Sequence, residues 1–178
     1  MLFPTEKVPA LVVPTNSHGV FDLAAQTPEH FTMLVFFRGL HCPLCVKYLK
    51  ALGDLLPALE EKGVKSIAIS SDTEQRSLEM AAKVGAPELT FGYGLPLQMA
   101  RDWGLYLSKG IGKTSVGIEE PAVFAEPGLF LVRSDGTLYY GAVQTMPFAR
   151  PGFADLMLAI DYAIGKNYPA RGEYQGAV

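Results

Sequence analysis

Cysteine is scarce in this sequence: two residues in 178, both inside the tetrapeptide Cys42-Pro43-Leu44-Cys45. So few cysteines exclude a secreted scaffold knit together by several disulfides. Histidine is scarce too, with His18, His30 and His41 the whole supply. A structural zinc site takes a full tetrahedral ligand set, and these histidines stand at no finger spacing from the cysteines, so no metal is expected. An excess of one charge is also missing, since 15 Lys and Arg face 18 Asp and Glu for a net charge of −3. Without a basic stripe, neither nucleic acid nor an anionic membrane is an expected partner. No apolar run approaches the roughly 18 residues of a membrane helix. The longest, Met33 to Phe37, is the size of a strand. The opening Met1-Leu2-Phe3-Pro4-Thr5-Glu6-Lys7 has no basic segment followed by an apolar one, so no secretory signal is expected and the cytoplasm is the expected compartment.

What is present is globular: 49% apolar and 19% charged residues in a length that suits a single domain. Val8 to Pro14 reads as an extended edge segment because of its prolines, and Val20 to Leu23 as a short return strand. Phe31 to Phe37, apolar and rich in aromatic and branched residues, suits a central strand covered on both faces. Val46, Leu49, Leu52, Leu55, Leu56 and Leu59 then recur at helical spacing. Gly53 and Pro57 interrupt that stretch and predict a kink or a broken second half.

Val64 to Ser70 is the next strand. Thr73 offers a cap for a helix over about residues 74–84, which Gly85 ends. A short strand near 89–91 and a helix near 97–103 follow, then a glycine-rich loop from Lys109 to Gly117. Gly112-Lys113-Thr114 resembles the end of a phosphate-binding loop, but that motif wants glycine where Leu107 stands. Residues 128–132 and 137–143 read as a hairpin turning at Ser134-Asp135-Gly136. A helix over 153–164 precedes an extended arm, 166–178. Strand–helix alternation followed by a hairpin predicts an α/β fold, with a mixed central sheet and helices on both faces.

The cysteine motif follows a buried strand and opens a helix. Pro43 suits the first helical position, Cys42 falls at the cap, and Cys45 lies on the same face. That spacing lets the sulfurs join without dismantling the helix. Orphan N–H groups and the positive end of the helix dipole favour a thiolate at Cys42. His41 and Arg38 are expected to add positive charge. Arg150, in the proline-flanked loop Met146 to Pro151, is the other arginine a rigid loop can aim at the thiols.

With these residues in hand the chain resembles the peroxiredoxin-like branch of the thioredoxin superfamily, the alkyl hydroperoxide reductase C and thiol-specific antioxidant group. The resemblance runs over about residues 8 to 165. It rests on Val35-Phe36-Phe37-Arg38-Gly39-Leu40-His41-Cys42-Pro43-Leu44-Cys45, on Ile67-Ala68-Ile69-Ser70-Ser71-Asp72, and on Pro127-Gly128-Leu129-Phe130-Leu131-Val132 running into Asp135-Gly136. It implies a thioredoxin-like fold and a dithiol that cycles through a disulfide, with no cofactor.

In peroxiredoxins the active-site segment carries proline, then threonine, then the attacking cysteine; here those positions hold Arg38, Cys42 and Cys45. The family's arginine ahead of the Gly-Leu-Phe strand falls on Pro127, a position where thioredoxin-like proteins carry a cis-proline facing the dithiol. The leading expectation is therefore thiol–disulfide exchange, with Cys42 attacking, Cys45 resolving, Pro127 and Arg38 assisting, and His41, Pro43 and Arg150 contacting substrate. A thiol peroxidase using Cys45 or Cys42 against hydroperoxides is the alternative. A non-enzymatic binding module of the same fold is the third reading. Expected partners are a disulfide or hydroperoxide substrate, a thiol reductant of the thioredoxin or glutathione type, and a second copy of the chain in a homodimer.

Overall fold

A computed structural model describes residues 2–177. The parity of one strand organises it. In β3 (Phe31–Phe36) every residue is buried. Phe31, Met33 and Val35, with Phe37 just beyond, face one core, while Leu34 and Phe36 face another. This is the alternation a strand imposes when both its faces are covered. The five-stranded sheet runs β5-β4-β3-β8-β9, with β4 Val64–Ile69, β5 Thr90–Gly92, β8 Gly128–Arg133 and β9 Leu138–Val143. β3, β4 and β5 are parallel, and β8 and β9 join antiparallel. Two small sheets lie outside it: β1 (Val12–Pro14) with β2 (Val20–Asp22), and β6 (Leu107–Lys109) with β7 (Val123–Ala125).

Helices α1 (Pro43–Glu61), α2 (Glu74–Val84) and α4 (Phe153–Gly165) supply the first core with Leu49, Leu52, Met80, Leu156 and Ile160. Truncating one such leucine to alanine costs about 2–5 kcal/mol. The second core gathers Trp103, at the end of α3 (Leu97–Asp102), with Phe130 and Ile69. Among the described residues no helix is long and apolar enough to cross a membrane.

Two expectations need correction. Gly53 and Pro57 do not break α1, which continues to Glu61. Gly53 instead permits a close approach, because a Cβ there would stand 2.4 Å from Cβ of Ala86 beyond α2. The glycine-rich loop, for its part, is the extension of a β6–β7 ribbon, bridged again at Lys113 and Glu119.

Register brings the chemistry together. Phe36 pairs with Ile69 on one side and Gly128 on the other, and Gly128 pairs with Val143. The chain leaving β3 and β4, entering β8 and leaving β9 therefore meets at one edge of the sheet. Arg38, Asp72, Glu126 and Arg150 all lie on those four segments.

Candidate active site

Both cysteines are free thiols at the start of α1. Cys42 is the N-cap, and its Sγ accepts the Cys45 N–H at 3.2 Å. Pro43 occupies the first helical turn and is exposed. The sulfurs themselves are hidden, Cys42 being 2% and Cys45 0% exposed. The approach to the cap is tight. Gly39 has φ +138°, and a Cβ there would fall 2.5 Å from Oδ2 of Asp72. That carboxylate accepts the Leu40 N–H at 2.7 Å and Arg76 Nε at 2.7 Å, so it fixes the turn that delivers the motif.

The two arginines have opposite surroundings. Arg38 is held by carboxylates: Nη2 lies 3.2 Å from Oε1 of Glu120 and Nε 3.5 Å from Oε2 of Glu126, while Cζ sits 4.7 Å from the Phe124 ring centroid. Its side chain is engaged by these carboxylates rather than by the thiols, contrary to the sequence expectation.

Arg150 takes the place expected of Arg38. Its Nη2 lies 2.9 Å from Cys45 Sγ and 4.0 Å from Cys42 Sγ. Among the described residues no carboxylate stands within ion-pair distance of it, and its Nε and Nη1 are buried without partners.

This placement inverts the expected thiol order. Burial by itself raises the Cys45 thiol, but the Cys42 hydrogen bond, the Arg150 charge and hydrogen bond, and the Arg38 backbone outweigh it and lower it to about 6. Cys42 moves up, because its thiol bonds to Cys45, is buried, and faces the charge that Cys45 acquires. The cap N–H and helix dipole are present at Cys42, yet a guanidinium in direct contact with the neighbouring sulfur acts more strongly.

His41 also departs from expectation. It is fully buried beside Phe124, with ring centroids 4.6 Å apart. Burial, with Arg38 adding to it, lowers its pKa to about 4, so it is neutral near pH 7 and brings no positive charge to the thiols.

Pro127 is buried at the entry to β8 with a trans peptide bond, as are all the described bonds. The cis-proline expected at this position is absent, and with it the argument from Pro127 for disulfide exchange.

Sequence reasoning passed over Glu120 and Glu126, which lie beyond the glycine-rich loop, and Tyr48. Tyr48 had a usable signal, since it follows Cys45 by one helical turn and shares its face. Its hydroxyl donates to the Pro151 carbonyl at 2.8 Å.

A mixed sheet of this order with a dithiol at the start of the helix after its central strand defines a thioredoxin-fold, thiol-dependent oxidoreductase. Within that class, the AhpC/TSA family model matches residues 4–141, and the chain belongs to the AhpC/TSA family. Solved structures of similar fold include peroxidoxin BcpB from Mycobacterium tuberculosis, at TM-score 0.70 and 17% identity over 92% of this chain and 99% of that one. Reduced 2-Cys peroxiredoxin from Plasmodium vivax aligns at TM-score 0.75 and 18% identity over 100% and 92%. A candidate thiol:disulfide interchange protein, DsbE, from Chlorobium tepidum aligns at 0.63 and 21% over 90% and 99%. No curated protein matches the sequence.

Proposed function

We propose that the protein is a thiol peroxidase in which Cys45 attacks a hydroperoxide and Cys42 resolves the product. The observation that carries this reading is the Arg150 guanidinium 2.9 Å from Cys45 Sγ, with two further N–H-bearing nitrogens unpartnered. Such donors hold the thiolate and face the charge that develops as an O–O bond breaks. Family membership and the position of Cys45 at the peroxiredoxin cysteine support it. Both sulfurs are buried, which suits a small substrate such as a hydroperoxide.

The steps balance. The Cys45 thiolate attacks one peroxide oxygen; an S–O bond forms, the O–O bond breaks, and the leaving alkoxide takes a proton. Cys42, still protonated while Cys45 is ionised, supplies that proton and becomes a thiolate. It then attacks the Cys45 sulfenic sulfur, forming the S–S bond while the hydroxyl leaves with a proton from solvent as water. Peroxide has been reduced to alcohol and the dithiol oxidised to a disulfide, which an external thiol reductant of the thioredoxin or glutathione type returns to the dithiol.

Disulfide exchange is the second reading, favoured by the Cys-Pro-Leu-Cys spacing at a helix start. Stopped-flow mixing of the reduced protein with a hydroperoxide and, separately, with a model disulfide discriminates the two. The peroxidase reading expects the faster reaction with peroxide, ending in a Cys42–Cys45 disulfide. A fast reaction with the disulfide and a sluggish one with peroxide favours exchange.

A further inference from the structure

Arg150 reaches Cys45 from the loop between β9 and α4, yet little in that loop fixes its side chain. Ala149 has φ +57°, a left-handed conformation that costs a non-glycine residue energy and persists only under outside constraint. Met146 and Phe148 project into solvent. Gly152, the N-cap of α4, contributes no side-chain cap bond.

The constraint comes from α1. The Tyr48 hydroxyl donates to the Pro151 carbonyl at 2.8 Å. Cζ of Arg150 stands 4.9 Å from the centroid of the same ring. That ring also stacks on Phe153, the first residue of α4, with centroids 4.4 Å and planes 28° apart. Burial, opposed by Arg150, pushes the Tyr48 phenol up to about 12, so the hydroxyl keeps its proton and stays a donor throughout the neutral range.

We infer that Tyr48 is a positioning residue for the dithiol: its hydroxyl pins the loop at Pro151, and its ring holds the Arg150 guanidinium against Cys45. An aromatic face attracts a cation without neutralising it. A carboxylate in that place would pair with the guanidinium and compete with the sulfur for it. The groups facing Cys45 are the Cys42 thiol, Arg150 and the Arg38 backbone, and Tyr48 acts on the sulfur only through Arg150. The inference rests on the reading of Cys45 as the thiol that ionises first, and it does not require peroxide as the substrate.

Thiolate ultraviolet absorbance of the reduced protein across pH tests it with no peroxide present. The first ionisation belongs to the coupled pair. Tyr48→Leu is expected to raise that step by about one pH unit and Tyr48→Phe, which keeps the ring, by about half a unit. In an Arg150→Met background, Tyr48→Leu is expected to add nothing, because its route to the sulfur is gone. Were the leucine variant not to fold, the phenylalanine variant carries the test.

No shift in either Tyr48 variant, or an equal shift in the absence of Arg150, overturns the inference. Negligible peroxide turnover by the parent, with the Tyr48 shifts intact, sinks the peroxidase reading and leaves Tyr48 in its role. Rapid peroxide turnover without the shifts does the reverse.

Discussion

Arg38 and Arg150 lie on segments that converge at the sheet edge carrying the dithiol, and their surroundings differ in one respect that decides their roles. Arg38 lies among Glu120, Glu126 and Phe124, and nearby Arg76 pairs with Asp72. Arg150 has an aromatic ring, two sulfurs and no carboxylate among the described residues. A guanidinium matched by buried carboxylates is neutralised and serves as architecture. One left unmatched beside a thiol lowers the cost of making that thiol an anion. Proximity to the motif in sequence therefore misleads: the arginine four residues before Cys42 is structural, and the one more than a hundred residues away addresses the sulfur.

The comparison predicts that damage to one side is felt in stability and damage to the other in chemistry. The largest effect is expected from Arg38→Met, which leaves two buried carboxylates uncompensated and lowers unfolding free energy by about 3–5 kcal/mol. Its peroxide rate, measured where the variant is folded, should stay within about a factor of ten of the parent. Denaturant unfolding and stopped-flow kinetics on the same sample check both halves.

Arg150→Met should do the opposite, with a loss of about a hundredfold or more in the peroxide rate and the first thiol ionisation moving toward the ordinary value of about 8.5. A large fall in stability with unchanged chemistry would exchange the roles assigned to the two arginines.

His41 gives the carboxylate side a pH signature. Its folded pKa of about 4 lies below the ordinary 6.5, so between those values the unfolded chain binds the extra proton. The stability due to its neutral burial is complete above about pH 6.5 and declines as pH falls, by up to about 3 kcal/mol once pH passes below about 4. Urea unfolding across that range should show the decline, and His41→Gln should remove His41's share of the slope.

Lys62 and Asp161, paired across α1 and α4 near the surface, are the weak end of the series. Lys62→Met should change stability by about 1 kcal/mol or less. A larger loss would mean that burial is not what distinguishes the Arg38 cluster.

Local features of the fold were legible in the sequence because local physics sets them. The apolar run of β3, the Cys42 cap with Pro43, and Thr73 with Gly85 around α2 each announce an element from a few adjacent residues. The site was legible in its sulfurs and only partly in what surrounds them. Arg150 and Tyr48 meet through the β8–β9 register and the turn into α4, and no local pattern encodes that meeting. Glu120 and Glu126 flank the three-residue strand β7, too short to give a periodicity to follow. The proposed order of the two thiols departs from the sequence expectation for the same reason: the helix cap is visible at Cys42 in sequence, whereas the guanidinium on Cys45 arrives through tertiary structure.

The central claim is that Cys45 attacks and Cys42 resolves. Its most direct test compares the reduced Cys42→Ser and Cys45→Ser variants, each given one equivalent of hydroperoxide and then a sulfenic-acid trap, with the labelled residue read by mass spectrometry. The account predicts rapid sulfenic acid on Cys45 in Cys42→Ser, and little or none on Cys42 in Cys45→Ser. Rapid oxidation of Cys42 in Cys45→Ser, with Cys45 inert in the other variant, would contradict it.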